Sequence, residues 1–308
     1  MEKNWFVIIN PQSGGGKALR LWKEAAILME KENIPFTPVF TQAPQHAIQL
    51  VAEGISQGFR HFIAVGGDGT ISEVVNGIFT QKAVSSQEIL LAVFPAGTGN
   101  DWARFYKIPS KVRELIKLIQ TEKTRIQDIG KITYQENSER KIRFFNNVAG
   151  MGFEAFVTEK TKDVNKAGFW GQAGYLMGVL TNLFKFESPE LSVQADDFSY
   201  KKTCLLLTIG LCRYNGNGMN LVPLSIPDDQ LFDLTLIEKI SPWNVLRHIL
   251  KIYNGRIYRH PKAVHYRAAE VYIQSNSPAY IEADGEVLGE VPIRVELIPE
   301  ALKIVVPS

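Results

Sequence analysis

The sequence predicts two consecutive domains, an α/β domain followed by a mostly antiparallel β domain. In the first third, short apolar stretches alternate with segments whose apolar residues recur at helical spacing, which indicates a parallel sheet covered by helices on both faces. From about Gln127, short β-type segments appear with turn signals such as Asp284-Gly285 beside them. We expect the first domain over residues 1–128, completed by the C-terminal strand 300–308, and the second over 129–299.

The predicted elements follow the apolar pattern. In the first domain, strands are expected at residues 5–10, 36–41, 62–65 and 89–94, and helices at about 17–31, at 46–57 and through 73–78. In the second domain, β segments are expected at 142–148, 191–195, 204–210, 232–237, 271–275, 279–283 and 293–298, and helices near 175–184 and 242–253. A final strand at 302–306 is expected to return to the first domain.

The composition argues against several classes of protein. The 34 basic and 32 acidic residues give the chain a net charge of +2, which argues against a dedicated nucleic-acid binder. No apolar run reaches the ~18 residues of a membrane-spanning helix, and the N-terminus lacks the features of a secretion signal. Cys204 and Cys212 offer neither a disulfide framework nor a metal-binding spacing, which suits a reducing compartment. We therefore expect a cytoplasmic protein.

Glycine-rich turns follow three of the predicted strands. The first, Asn10-Pro11-Gln12-Ser13-Gly14-Gly15-Gly16-Lys17, joins a strand to a helix, where small residues and free N–H groups favour phosphate. This turn is not a Walker A loop, because Ala18 stands where that motif requires serine or threonine. Taken alone, it is a weak indication of a binding site.

The other two turns are more specific. They read Gly66-Gly67-Asp68-Gly69-Thr70 and Pro95-Ala96-Gly97-Thr98-Gly99-Asn100-Asp101. Small residues there would let a polyphosphate lie against the main chain, while Asp68 could hold magnesium or its water shell. Because ligands bind beyond the carboxyl ends of parallel strands, we expect the three turns to converge on one crevice.

A fourth turn, Asp284-Gly285-Glu286, has two interpretations. Asp-Gly is a common hairpin tip, so the segment could be purely structural. Phosphoryl transfer to a hydroxyl, however, benefits from a carboxylate that accepts the hydroxyl proton, and the glycine would leave Glu286 unobstructed.

Together these segments resemble the bacterial diacylglycerol kinase family, which includes sphingosine and ceramide kinases. GGDGT alone is less specific, because NAD kinases and phosphofructokinases carry similar turns. The matching segments occur in the family's order through nearly the whole chain: NPQSGGGKA from Asn10, GGDGTISEVVNG from Gly66, PAGTGNDWAR from Pro95, NNVAGMGFEA from Asn146, PDDQLFD from Pro227 and EADGE from Glu282.

The resemblance implies a fold and a reaction. The fold is an N-terminal nucleotide-binding domain like that of NAD kinase and a C-terminal β-sandwich, with the active site in the cleft between them. The reaction is magnesium-dependent transfer of the ATP γ-phosphate to a lipid hydroxyl, with diacylglycerol to phosphatidate as the first hypothesis. A kinase for phosphatidylglycerol or a sphingoid base, an NAD kinase, and a nucleotide-responsive regulator without turnover remain alternatives.

The resemblance also implies roles for individual residues. Asp68, Asp101 and Asp128 would form an acidic network beside magnesium and the phosphates, and Glu286 would accept the proton of the lipid hydroxyl. By position, the residues that would contact ATP are Asn10, Pro11, Gln12, Ser13, Gly14, Thr41, Gly66, Gly67, Asp68, Gly69, Thr70, Ile71, Ser72, Glu73 and Thr98.

A second, structural magnesium site is implied in the β domain. Asp229 matches its carboxylate ligand, and the main-chain carbonyls of Ile226 and Leu231 match the others. Gln230 stands in place of the usual glycine there, which would strain the loop if that position requires a positive φ. In the first domain, Ser72 stands where many members of the family have asparagine, which could alter a hydrogen bond near the phosphates.

Two segments are candidates for contact with a lipid surface. Residues 240–269 contain six basic and no acidic residues, with tyrosines interleaved; a solvated basic face is the alternative. The aromatic segment 169–186 is the second candidate, with apolar core as the alternative. We expect peripheral contact with the inner face of the membrane and no nucleic-acid partner, and we leave a homodimer open.

Overall fold

The computed structural model describes residues 4–161 and 181–307. The chain divides into two compact units, one formed by Met1–Ile129 with Ile298–Ser308 and the other by Gly130–Leu297. Among the described residues, no helix is both long and apolar enough to cross a membrane. The helix predicted near 175–184 and the aromatic segment 169–186 lie outside the described residues as far as position 180.

The strands are β1 Trp5–Ile9, β2 Phe36–Phe40, β3 His61–Gly66, β4 Leu90–Pro95, β5 Thr124–Glu136, β6 Glu139–Phe145, β7 Val148–Gly152, β8 Glu190–Ala195, β9 Phe198–Gly210, β10 Tyr214–Asn215, β11 Met219–Asn220, β12 Phe232–Glu238, β13 Ala263–Ala268, β14 Glu270–Ser275, β15 Tyr280–Ala283 and β16 Glu286–Val305. The helices are α1 Ser13–Lys31, α2 His46–Ser56, α3 Asp68–Thr80, α4 Asp101–Phe105, α5 Val112–Thr121, α6 Phe153–Thr161 and α7 Pro242–Tyr253, with short 3₁₀ turns at Ser86–Glu88 and Ile257–Arg259.

The first unit contains a parallel sheet in the order β2-β1-β3-β4-β16. Strands β1 and β4 are buried along their whole length, and β3 is buried except at its first residue, as expected for a sheet covered by helices. The end of β16 joins this sheet through Lys303 and Ile304, which pair with Leu90 and Leu91 of β4. The α/β class predicted for this half of the chain is confirmed.

Two helices of this unit were not predicted from the sequence. Helix α5 buries Val112, Leu115, Ile116 and Ile119, which recur at helical spacing and could have been recognised. Helix α4 has only five residues and depends on a tertiary capping contact, so its sequence alone gives little indication of a helix.

The second unit is built from antiparallel strands. Its longest run is β13-β12-β9-β7-β15-β16, while β8 pairs with both β9 and β14, and β14 pairs with β16. Inward-facing residues form one apolar core in which the rings of Phe145 and Phe232 stack at a centroid distance of 5.7 Å. The antiparallel β class is confirmed. The segment predicted at 142–148 covers the end of β6 and only the first residue of β7, and the segment predicted at 293–298 belongs to the longer β16. Strands β5, β10, β11 and β13 and helix α6 were not predicted from the sequence.

Gly77 lies where α3 packs closely against α2, so a substitution at this position tests the fold. A Cβ on Gly77 would lie 2.7 Å from Cβ of Val51 and 2.9 Å from the carbonyl oxygen of Ile48. We expect Gly77→Ala to lower the free energy of unfolding by about 1–2 kcal/mol, since overpacking outweighs the gain in helix propensity.

The control for this prediction is Gly69→Ala on the same helix, where an added Cβ meets nothing within 4 Å. The midpoints of urea unfolding should fall for the first variant and stay or rise slightly for the second. Equal midpoints for the two variants would contradict the packing described here.

Candidate active site

The first glycine turn is left-handed before it becomes a helix. Gly14, Gly15 and Gly16 have φ values of 59°, 63° and 83°, so regular α-helical geometry in α1 begins only after them. A Cβ on Gly14 would overlap the main-chain carbonyl oxygen of Ala96. The turn after β1 is therefore in direct contact with the turn after β4, and only glycine fits at that contact.

The second and third turns meet at two further glycines. A Cβ on Gly67 would lie 2.9 Å from Cα of Gly97, and a Cβ on Gly97 would lie 2.5 Å from Cα of Gly67. The side-chain amide of Asn10 donates to Oγ1 of Thr70 at 3.1 Å and so links the first turn to the second. The three turns thus converge at the carboxyl ends of β1, β3 and β4, where a polyphosphate could lie against main chain.

Asp68 holds the third turn in place. Its Oδ2 accepts the N–H of Asp101 at 3.1 Å, and its Oδ1 accepts the N–H of Trp102 at 3.2 Å. These are free donors at the start of α4, so Asp68 caps that helix from the neighbouring turn. Burial raises the pKa of Asp68, while the hydrogen bonds from the main chain lower it and oppose that effect.

The other two acidic residues of the predicted network lie in α4 and in β5. Asp101 begins α4, is nearly fully buried, and has Nε of Arg104 3.4 Å from its Oδ1. Asp128 is fully buried in β5 and accepts the N–H of Glu300 at 2.7 Å. Its neighbour Gln127 accepts hydrogen bonds from Trp102 and Tyr106 at 3.0 and 2.9 Å, which ties this part of β5 to α4.

The remaining predicted ATP contacts differ in how accessible they are. Gln12, Gly69 and Thr98 are exposed at the turns, and Asn10, Pro11, Ser13 and Thr41 are half-buried. Ile71 and Ser72 are buried in α3. Glu73 accepts the N–H of Ala47 at 3.2 Å and so caps α2. Ile71, Ser72 and Glu73 therefore make packing or capping contacts within the protein, whereas the turn residues are more accessible to a ligand.

The turn cluster is suited to magnesium that arrives with a nucleotide. Carboxylate oxygen is the donor type that magnesium prefers, and the ion commonly takes only one or two carboxylates together with substrate phosphates. In the part of the chain that the structure describes, no three His, Cys, Asp or Glu side chains form a metal-binding group. Asp68, at the start of α3, could hold the ion beside the phosphates.

Glu286 begins β16 in the second unit and forms an ion pair with Arg143 of β6. The guanidinium of Arg143 is largely buried, while the carboxylate of Glu286 remains 41% exposed and open to solvent. Asp284, two residues earlier, accepts the N–H groups of Asn146, Asn147 and Val148 at 3.1 Å each. The Asp-Gly-Glu turn is therefore held firmly, while the carboxylate of its glutamate stays accessible.

Two buried carboxylates behind this turn were not predicted as functional. Nδ2 of Asn215 donates to Oε1 of Glu154 at 2.9 Å and to Oε1 of Glu282 at 3.3 Å, and Thr208 donates to Oε2 of Glu154. Glu282 also accepts the N–H of Gly285 at 2.9 Å, next to Glu286. Burial raises the pKa of Glu154 to about 7, and burial with the nearby Glu154 raises that of Glu282 well above its usual value.

The loop predicted to hold a structural magnesium contains an ion pair between an aspartate and an arginine. Gln230 has a φ of 66°, so it adopts the left-handed conformation that glycine would take more easily. The guanidinium of Arg267 forms an ion pair with Oδ2 of Asp229, and Oδ1 accepts the N–H of Leu231 at 3.3 Å. A metal ion at Asp229 would have to compete with this arginine, and the metal site formed with Ile226 and Leu231 stays a prediction.

The raised pKa of Glu154 predicts an unusual dependence of stability on pH. Between about 4.5, its unfolded value, and about 7, the folded chain binds more protons than the unfolded chain, so stability falls as pH rises. Glu154→Gln removes this titration, and we expect it to be more stable than wild type at pH above that range by on the order of 1 kcal/mol. Urea unfolding of wild type and variant at acidic and at slightly alkaline pH measures the difference in their free energies of unfolding. If the stabilities of the two proteins change with pH in parallel, Glu154 is not the group responsible.

Comparison with known proteins matches a family model to each of the two units. The model of the diacylglycerol kinase catalytic domain matches residues 4–132. The model of the YegS C-terminal NAD kinase beta sandwich-like domain matches residues 147–306. A protein from Staphylococcus epidermidis named diacylglycerol kinase is 29% identical over 309 residues, covering 100% of this chain and 93% of its own. A Pseudomonas syringae protein named "Probable lipid kinase YegS-like" is 29% identical over 263 residues, covering 85% of this chain and 81% of its own.

Solved structures share the fold. One from Bacillus anthracis str. Sterne superposes with a TM-score of 0.79 at 21% identity, covering 99% of this chain and 95% of its own. Yeast NADH kinase superposes with a TM-score of 0.54 at 12% identity, covering 99% of this chain and 84% of its own. The NAD kinase-like α/β unit and the β-sandwich-like unit expected from the sequence are thus confirmed. The chain belongs to the diacylglycerol kinase family of lipid kinases.

Proposed function

We propose that the chain is an ATP- and magnesium-dependent kinase that phosphorylates a lipid hydroxyl, converting diacylglycerol to phosphatidate. The observation that carries this proposal is the contact of three glycine turns at the carboxyl ends of β1, β3 and β4. Side chains are excluded where Gly67 meets Gly97, so a polyphosphate can approach the main chain closely. Membership of a lipid kinase family supports a lipid as the acceptor, and the relative named diacylglycerol kinase supports diacylglycerol as the substrate.

The first unit would bind and orient the phosphate donor. Exposed groups at Gln12, Gly69 and Thr98 are available to ATP, and Asp68 fixes the third turn through the amides of α4. Asp68 would hold magnesium that arrives with ATP, and the ion would supply positive charge to neutralise the charge that develops during transfer. Asp101 and Asp128 are proposed to contribute negative charge around this position.

The second unit would supply the base. We assign this role to Glu286, whose carboxylate takes the proton of the lipid hydroxyl as the hydroxyl oxygen bonds to the γ-phosphorus. The bond from that phosphorus to the β–γ bridging oxygen then breaks, and ADP leaves. Arg143 orients the carboxylate, and the hydrogen bonds to Asp284 and Glu282 hold the turn that carries it.

The test is transfer of labelled phosphate from ATP to diacylglycerol in mixed micelles. We expect Glu286→Gln to lower kcat by about 100-fold or more, because a general base contributes that much, with little change in the affinity for ATP. The matched control is Glu290→Gln, an exposed glutamate on the same strand, which should retain wild-type activity. Full activity of Glu286→Gln would remove this residue as the base.

The acceptor is decided by a substrate panel in the same assay. Phosphatidylglycerol and a sphingoid base test the related lipid kinases, and NAD tests the activity suggested by the NAD kinase-like fold. Binding of ATP without transfer to any acceptor would support a nucleotide-responsive regulator. We expect diacylglycerol to be the best acceptor, and we place the enzyme in the cytoplasm, at the inner face of the membrane, where such a lipid is met. A homodimer stays an open prediction.

A further inference from the structure

Helix α7 presents large apolar side chains to solvent. Trp243 is 71% exposed and Leu250 is 74% exposed, and they flank the exposed Arg247. The three positions are spaced i, i+4 and i+7, so they lie on one side of the helix. Two large apolar residues that are so exposed on one helix face are typical of a binding surface.

The opposite side of α7 anchors the helix to the second unit. Val245 and Ile252 pack against an apolar cluster that includes Leu205 and Ile237, and Leu246 joins them from the edge between the two faces. Ser241 caps the first turn by accepting the N–H of Asn244 at 3.3 Å, and a proline follows at the first helical position. The helix is therefore fixed by one face, and its outer face is not needed for packing.

Two aromatic side chains extend this outer face. Phe184 is 52% exposed, and its ring lies 5.4 Å from that of Trp243. Tyr253 is 45% exposed and follows Leu250 by three residues at the end of the helix. We call the surface formed by Phe184, Trp243, Arg247, Leu250 and Tyr253 the docking face.

The segment that carries most of the docking face has charge of one sign. Residues 240–269 contain no acidic residue and six basic ones, although the net charge of the whole chain is only +2. Arg267 is paired with Asp229 and Asp233. The other five cations are Arg247, Lys251, Arg256, Arg259 and Lys262.

We propose that the docking face binds the surface of an anionic lipid bilayer, with Trp243 and Leu250 inserted at the boundary of headgroups and acyl chains. Tryptophan favours that boundary, leucine favours the acyl region, and arginine and lysine are attracted to anionic headgroups. A second copy of this chain fits less well, because a two-fold contact would place the same basic surface opposite itself. The inference rests on the proposed function, since a lipid substrate requires access to a bilayer.

Cosedimentation with vesicles tests the proposal without any turnover. We expect the wild-type chain to bind equimolar phosphatidylcholine and phosphatidylglycerol vesicles, to bind pure phosphatidylcholine vesicles much less, and to be released by high salt. The double variant Trp243→Ser, Leu250→Ser should bind anionic vesicles about 100-fold more weakly, and Arg247→Glu, Lys251→Glu at least about tenfold more weakly.

Each variant has a matched control elsewhere on the chain. Ile27→Ser changes an apolar residue of α1 that is 66% exposed, and Arg113→Glu, Lys117→Glu reverses an exposed pair on α5 with the same i, i+4 spacing. These controls should bind vesicles as wild type does. All variants should keep the wild-type thermal unfolding curve, because the changed side chains project into solvent.

The outcomes separate docking from catalysis. Loss of vesicle binding with kinase activity retained on a short-chain diacylglycerol in detergent micelles supports the docking face. Wild-type vesicle binding by the α7 variants overturns it, as does a change from dimer to monomer with vesicle binding unchanged, which would identify the face as a contact between copies. A chain that binds vesicles through α7 but phosphorylates no acceptor keeps the docking face and refutes the proposed function instead.

Discussion

The close approach of three main-chain turns is the constraint on which the first unit depends. Gly14 lies against the carbonyl of Ala96, and Gly67 lies against Gly97, so each turn defines the space left for the others. Asp68 accepts two amides at the start of α4 and fixes the third turn to the second. A surface of main-chain groups results whose shape is fixed by these contacts, and we propose that the phosphates of ATP bind there.

The second unit uses buried polar groups for a similar purpose. Three amides of residues 146–148 converge on Asp284, and Glu282 accepts the amide of Gly285, so the turn before Glu286 has little freedom. Burying Glu154 close to Glu282 favours protonation of the pair. This arrangement lowers stability at higher pH.

Much of the fold could be predicted from the sequence because it depends on local patterns. The buried strands β1, β3 and β4 are continuous apolar runs, and the glycine turns that follow them are visible as motifs. Helix α4 was missed because its N-terminus is capped by Asp68, 33 residues earlier in the chain. The pairing of Arg143 with Glu286 spans 143 positions and has no local signature. The same is true of Arg267, which neutralises Asp229 where a metal ion was expected.

Amide hydrogen exchange with and without magnesium and ATP tests the central claim most directly. If the three turns form one phosphate-binding surface, the nucleotide should slow exchange together at residues 12–17, 66–71 and 97–102, with ADP giving a smaller effect. Protection of only one of these turns, or of none, would contradict the account.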